Sequence, residues 1–413
     1  MLVEHIILAL VLILGLSLIA QPVSQWLSMP FASILVLFGF ITSELVVFAG
    51  IDTGLRADNF QSIIFYVFIP LLVFASAYNM DKQVLKKNII VILFLAIIAM
   101  LLTCGITAAL LFYGIAHETG FPWLAALITG AILAATDPVA VVAQLREMKA
   151  PKRISVLLEG ESLFNDASAI VLFGLFLSMA VASDLVSSAN TLYSISDVII
   201  QFLSIFVGGA LTGLAVGLSF GFVQKKVRQV LLKGVMSLVV AYGSYLLAEH
   251  FMVSGVMSTL FAALSFSLLS QSENESPDAG NNYLWKVLSH VANVCVFLVV
   301  GAVITLEMFE QRWLAMLIAI VAILVARAIS VYGLLAFFAL FKSLKVSLSA
   351  QTVMVWGGLR GAVTLALALS LPTSLDYWWT IQSIAFGVVM FSLFVQAPTM
   401  KLIAKKLLAK EKA

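Results

Sequence analysis

Thirteen apolar runs, each long enough to cross a bilayer as a helix, follow one another from end to end of this 413-residue chain. A spanning helix needs about 20 residues. The runs fall at roughly 4–24, 30–48, 60–79, 88–114, 121–145, 154–182, 195–223, 231–248, 253–271, 284–305, 313–341, 349–371 and 378–400. A hydrophobic share of 62% against 11% charged residues, with mean hydropathy +1.11, excludes a soluble globular domain. Strand-type alternation is absent, which excludes a barrel and leaves helices as the way to pair backbone polar groups in lipid. The expected fold is an all-α polytopic membrane protein with thirteen transmembrane helices. The first is expected to remain as a span, because it lacks the basic n-region of a cleaved signal. No loop is long enough for a soluble domain, so function must lie among the spans.

The cations orient these helices. Lys82, Lys86 and Lys87 precede helix 4; Arg146, Lys149, Lys152 and Arg153 join helices 5 and 6; Lys225, Lys226, Arg228 and Lys233 join 7 and 8. Adding Lys286, Lys342, Lys345 and the five lysines from Lys401 to Lys412, nineteen of the 23 cations fall on one side, against Arg56 and Arg312 on the other. The positive-inside rule then puts the amino terminus outside and the carboxyl terminus in the cytoplasm. Loop 9/10 is the least basic, with Glu273, Glu275 and Asp278. The net charge of +2 is what this bias leaves over and indicates no nucleic-acid partner.

Two cations, Arg327 and Arg360, remain inside apolar segments, as do Asp137, Glu159, Glu161 and Asp166. A charge at the bilayer centre costs on the order of 2.5–3.5 kcal/mol, so such residues are paired or functional. They select helices 5, 6, 11 and 12. Helix 5 reads ITGAILAATDPVAVVAQL, where Pro138 interrupts the hydrogen-bond ladder. Helix 12 reads VMVWGGLRGAVTLALAL, where Gly357, Gly358 and Gly361 loosen the chain around Arg360. If helices 1–6 and 8–13 are two inverted six-helix repeats joined by helix 7, both interrupted helices are the fifth of their repeat. That is the pattern of a secondary transporter's midplane site.

Helix 6 reads EGESLFNDASAIVLF from Glu159, and its spacing divides the polar groups. Glu161 and Asn165 share one face; Ser162 and Asp166 share the adjacent one. Asp166 with Asp137, the Ser162 hydroxyl and a Thr136 carbonyl freed by the break offers hard oxygen ligands for a small monovalent cation. Glu161 needs a counter-charge, and Arg327 is the candidate. Glu159, near the cytoplasmic start of the helix, reads as a solvated residue or one that meets the helix's N-terminal dipole. A bound cation or a proton each relieves the cost of burying one carboxylate, so the two compete for it. Competition with alternating exposure amounts to exchange.

The segments AATDPVAVVAQL, LLEGESLFNDASAIVLF, ARAISVYG and WGGLRGAVTLALALSLP occur in order and resemble those of the first subfamily of monovalent cation/proton antiporters. Its members include bacterial Na+/H+ antiporters of the NhaP type and animal sodium/proton exchangers. The resemblance implies an NhaA-like antiporter fold with crossed broken helices 5 and 12, and Asp166 as main carrier with Asp137, Ser162 and Thr136 as further ligands. It implies a structural Glu161–Arg327 ion pair holding Asn165 beside the site, and Arg360 offsetting the ends of the broken helices. An Asn-Asp pair at 165 and 166 implies electroneutral exchange. Also implied are a homodimer in the cell inner membrane, a core of residues 88–182 and 313–402 moving like an elevator against a dimerisation domain of 1–80 and 231–305, and a linker helix at 195–223. Residues 403–413 are expected to be a short cytoplasmic tail, unlike the regulatory extension of animal exchangers. In FIPLLVFASAYNMD, Ala75 stands where relatives commonly carry glutamate, which makes the site less acidic.

The partners so implied are Na+ or Li+, protons and lipid, with K+/H+ exchange as the alternative cargo and no cofactor beyond the transported ions. A cation channel would be expected to repeat its pore-lining motifs. An enzyme would need a nucleophile and a positioned base; the sequence has no G-x-S-x-G, and His5, His117, His250 and His290 supply no evident base. No nucleotide motif points to an ATP-driven pump.

Overall fold

A chain this apolar satisfies its backbone through helices, and the computed structural model is helical throughout its regular elements. It describes residues 2–27, 29–48, 63–115, 120–185, 195–270, 279–341 and 344–409. Arg56, His117, Glu273, Glu275, Asp278, Lys342, Lys410 and Lys412 lie outside the described residues.

The first elements are α1 (Leu2–Leu27), α2 (Phe31–Phe48), α3 (Ile64–Asn79) and α4 (Lys82–Gly114). Then come α5 in two halves, α5a (Trp123–Ala134) and α5b (Val139–Glu147), and the long α6 (Lys152–Leu185). They are followed by α7 (Ile195–Gln224), α8 (Val230–His250), α9 (Gly255–Ser270), α10 (Ala279–Val303) and α11 (Leu306–Phe338). Last are α12a (Leu348–Trp356), α12b (Ala362–Leu369) and α13 (378–409). Among the described residues, eight helices are long and apolar enough to cross a membrane, and four shorter apolar ones accompany them.

Two departures from the sequence reading have local causes. Helix α4 begins six residues early, because Asp81 caps it by accepting from the amides of Gln83 and Val84 at 3.1 and 3.2 Å. Helix α13 runs past residue 400 into the expected tail, because Met400 and Ala404 are buried on one face while Lys401 and Lys405 stay outside on the other.

The helices pack in two groups. Helices α4, α5, α6, α11, α12 and α13 lie mainly against one another, and α1, α2, α3, α8, α9 and α10 do likewise. Helix α7 packs along α9, because Gly209, Gly213 and Gly217 fall one turn apart and let its backbone approach Ser254, Ser258 and Ala262. Gly39 of α2 and Gly301 of α10 meet in the same way. Several basic segments are tied to one face. Arg153 donates to Asn88 Oδ1 at 2.9 Å and to the Lys345 carbonyl at 3.0 Å, and Lys401 pairs with Glu147 at 3.1 Å.

Candidate ion-binding site

Helix α5a stops at Ala134 because Pro138 has no amide to donate. Ala135 is extended (φ −58°, ψ 138°) and Pro138 turns the chain (φ −88°, ψ 0°) into α5b. Between α12a and α12b the run Gly357–Gly361 is likewise non-helical. The two breaks touch. The Asp137 amide donates to the Leu359 carbonyl at 2.7 Å, and the Asp137 carboxylate rests against Gly361, where any β-carbon would collide with it.

Four half-helix ends therefore converge, and their partial charges are met by two side chains. At the amino ends, the Val139 amide donates to Asp137 Oδ1 at 3.1 Å and the Ala362 amide faces the same carboxylate. At the carboxyl ends, Arg360, 1% exposed, donates from Nε to the Leu133 carbonyl at 3.0 Å and from Nη1 to the Gly358 carbonyl. One aspartate and one arginine thus stand at the ends of opposite sign.

Helix α6 crosses beside these breaks and shows both stripes. On the first, Ser162 Oγ donates to the Thr136 carbonyl. Asp166 accepts from the Thr136 amide and has Asp137 as its charged neighbour; its Oδ1 is buried with no protein partner. On the second stripe, Glu161 pairs with Arg327 of α11, each 1% exposed. Arg327 Nη2 also donates to the Met354 carbonyl at 3.3 Å, so the pair joins α6, α11 and α12a.

Asn165 behaves differently from the expectation that the ion pair holds it. Its Nδ2 donates to the Ala134 carbonyl at 2.9 Å and to Thr136 Oγ1 at 3.3 Å. Among the described residues no hydrogen bond joins it to Glu161 or Arg327. The reason is the break in α5, which leaves the Ala134 carbonyl without a helical donor and within reach of this amide. Glu159 stands apart from the cluster and pairs with Arg146 at 2.5 Å.

A cavity of about 560 Å³ reaches Asp137 and Asp166. One wall is α5, α6 and the start of α12b; the opposite wall is α3 and α10. Asn79, Arg146, Glu159 and Lys286 line it as well, and all four lie near the helix ends carrying the basic loops. Asp137, Thr136, Ser162 and Asp166 all line this space, whereas Glu161, Asn165, Arg327 and Arg360 lie behind it.

The transmembrane profile of the sodium/hydrogen exchanger family matches residues 8–406. The chain belongs to that family. It is therefore a multi-pass membrane transporter. The chain is 34% identical to the Na+/H+ antiporter ApNhaP of Aphanothece halophytica, over 98% of this chain and 74% of that protein. It is 29% identical to the Na+/H+ antiporter NhaH of Halobacillus aidingensis over 98% of both. Among solved structures, the sodium proton antiporter MjNhaP1 from Methanocaldococcus jannaschii at pH 8 matches with a TM-score of 0.80 and 22% identity, covering 99% of this chain and 100% of that one. That likeness bears on the fold.

In this exchanger-family chain, Ala75 is 4% exposed and lines the same cavity as Asp137 and Asp166. Sequence reasoning missed α10's share of the wall. Lys286, Ser289, Asn293 and Val296 recur at helical spacing and line the cavity together. The spacing is readable, but nothing in α10 itself says that this polar stripe lines the same cavity as Asp166.

Proposed function

We propose that this protein exchanges Na+ for H+ across the cell membrane as a secondary antiporter, with Asp166 as the group that binds either ion. The observation carrying the reading is the charge of the buried cluster at the end of the cavity. Asp137, Glu161 and Asp166 are met by Arg327 and Arg360, which leaves one negative charge in excess. One monovalent cation or one proton neutralises it, and bringing both in would overcharge the site. One-for-one electroneutral exchange follows from that count.

In the sodium-bound form, Asp166 and Asp137 supply carboxylate oxygens, and Ser162 Oγ and the Thr136 carbonyl complete one side of the shell. The names of the curated relatives, Na+/H+ antiporters, support sodium as the cargo. The chain spans the membrane thirteen times, counting α5 and α12 once each, with the amino terminus outside. The two interrupted helices are the fifth members of two inverted repeats, as in NhaA-like antiporters. The cavity then opens to the cytoplasm, because Arg146 and Lys286 at its rim belong to the basic side.

Alternating access is a movement of α4–α6 and α11–α13 along the wall formed by α3 and α10, within a homodimer held by the other group. Sparse packing between the two groups supports this division. Proteoliposomes with a luminal pH dye test the function. A sodium gradient should drive protons the opposite way at a rate unaffected by a clamped membrane potential. Sodium movement without proton counterflow would overturn the proposal.

A further inference from the structure

Helix α10 carries one polar side chain midway along its length that the protein itself does not use. Asn293 is the eleventh residue of the 21-residue apolar span Tyr283–Val303, is half-buried and lines the cavity. Among the described residues its amide makes no hydrogen bond. Its polar neighbours on the same wall are differently placed: Asn79 donates to the Ala75 carbonyl at 2.8 Å and Ser289 to the Lys286 carbonyl at 3.2 Å. An amide that lines the cavity and makes no bond to the protein is free to contact whatever occupies that cavity, water or ion. The occupant that the opposite wall is built for is a cation at Asp137 and Asp166.

We propose that Asn293 contacts the cation from the α10 wall, through its carbonyl oxygen or through one water of the ion's shell, and sets sodium affinity on the cavity-open side only. This rests on the exchange reading above. Three features of the site fit a neutral ligand at that position. The ligands from α5 and α6 come from one side, so the face of the ion toward α10 needs an oxygen. An amide supplies one without altering the single excess charge, whereas a carboxylate on this wall would add a second. Ala75 leaves the α3 part of the wall at the site without a carboxylate, so Asn293 provides polarity there without acidity. The sidedness comes from α10 itself, which belongs to the helix group that the proposed movement leaves behind, so the contact is made when the cavity is open and lost when the core moves away.

Oriented proteoliposomes containing the full chain, with sodium varied on one face at a time, test this. For Asn293→Leu, half-saturating sodium on the cavity face should rise about tenfold, with the maximal rate and the opposite face changed by less than about twofold. Asn293→Asp, nearly isosteric, should lower half-saturating sodium on the cavity face and make exchange sensitive to membrane potential. An unchanged cavity-face value in either variant, or an equal change on both faces, overturns the inference. If the leucine variant does not assemble, the aspartate variant decides. If the unaltered protein shows no sodium-coupled proton flux, the exchange reading itself fails. Normal flux in the unaltered protein with side-independent variants removes only the role of Asn293.

Discussion

Glu161 and Asp166 are carboxylates five residues apart on one helix, and their surroundings assign them opposite work. Glu161 is 1% exposed and locked to Arg327, which is held in turn by the Met354 carbonyl. Asp166 has one oxygen without a protein partner and lies at the end of a cavity. Both carboxylates leave one oxygen without a protein partner, so the difference lies in the counter-charge and the access: a carboxylate with a fixed counter-charge cannot exchange partners cheaply, and one without it, on a path to water, can. The difference arises from about 100° of rotation per residue around α6. Glu161 faces α11 and α12a, and Asp166 faces the break in α5, which Asn165 reaches as well from one turn beyond Glu161.

The largest effect should come from exchanging the two roles. Asp166→Asn should reduce sodium-driven proton flux to the level of empty liposomes while leaving the thermal unfolding of the purified protein near its original midpoint; persistent flux would remove Asp166 as carrier. Glu161→Gln should do the reverse, destabilising the fold by about 3–5 kcal/mol because Arg327 is left buried without its partner. If unfolding is unchanged, the pair is not structural. The charge-swapped double variant Glu161→Arg with Arg327→Glu should regain part of that loss, and no recovery would argue against a pairwise origin.

Asp137→Asn should come next, raising half-saturating sodium about tenfold, equivalent to ~1.4 kcal/mol. An unaltered affinity would place Asp137 with the helix ends it caps and not with the ion. Ser162→Ala removes one hydrogen bond to the Thr136 carbonyl and should cost about 1 kcal/mol of stability. It should also weaken sodium binding measurably, and an effect on stability alone would take its hydroxyl out of the ion's shell. Glu159→Gln should be the mildest, at most about 1 kcal/mol, since its partner Arg146 is largely exposed. A loss of flux on the scale of Asp166→Asn would mean that the polar stretch of α6 does not divide as described.

Much of this division is legible in the amino-acid sequence. The i, i+4 spacing separates Glu161 and Asn165 from Ser162 and Asp166, and the cost of a charge in lipid singles out Arg327 and Arg360. Pro138 and the glycines around Arg360 mark the interrupted helices, because each removes a donor or loosens the backbone locally. The contacts of Asn165 are not legible there. Its hydrogen bonds go to the Ala134 carbonyl and the Thr136 hydroxyl, which become available only when α5a ends beside α6. Nor is the end of α13, where burial of Ala404 against the rest of the fold carries the helix beyond its most apolar stretch.

By itself, then, the sequence determined the helices, their breaks and the residues too costly to leave idle in lipid, because those follow from local backbone chemistry and from transfer into hydrocarbon. Only the tertiary structure decided which helix ends meet. It set Asp137 at the amino ends and Arg360 at the carboxyl ends, and it brought the polar stripe of α10 to the cavity that Asp166 lines. Those outcomes depend on crossings between segments as far apart as Leu133 and Arg360, whose relative positions no local periodicity specifies.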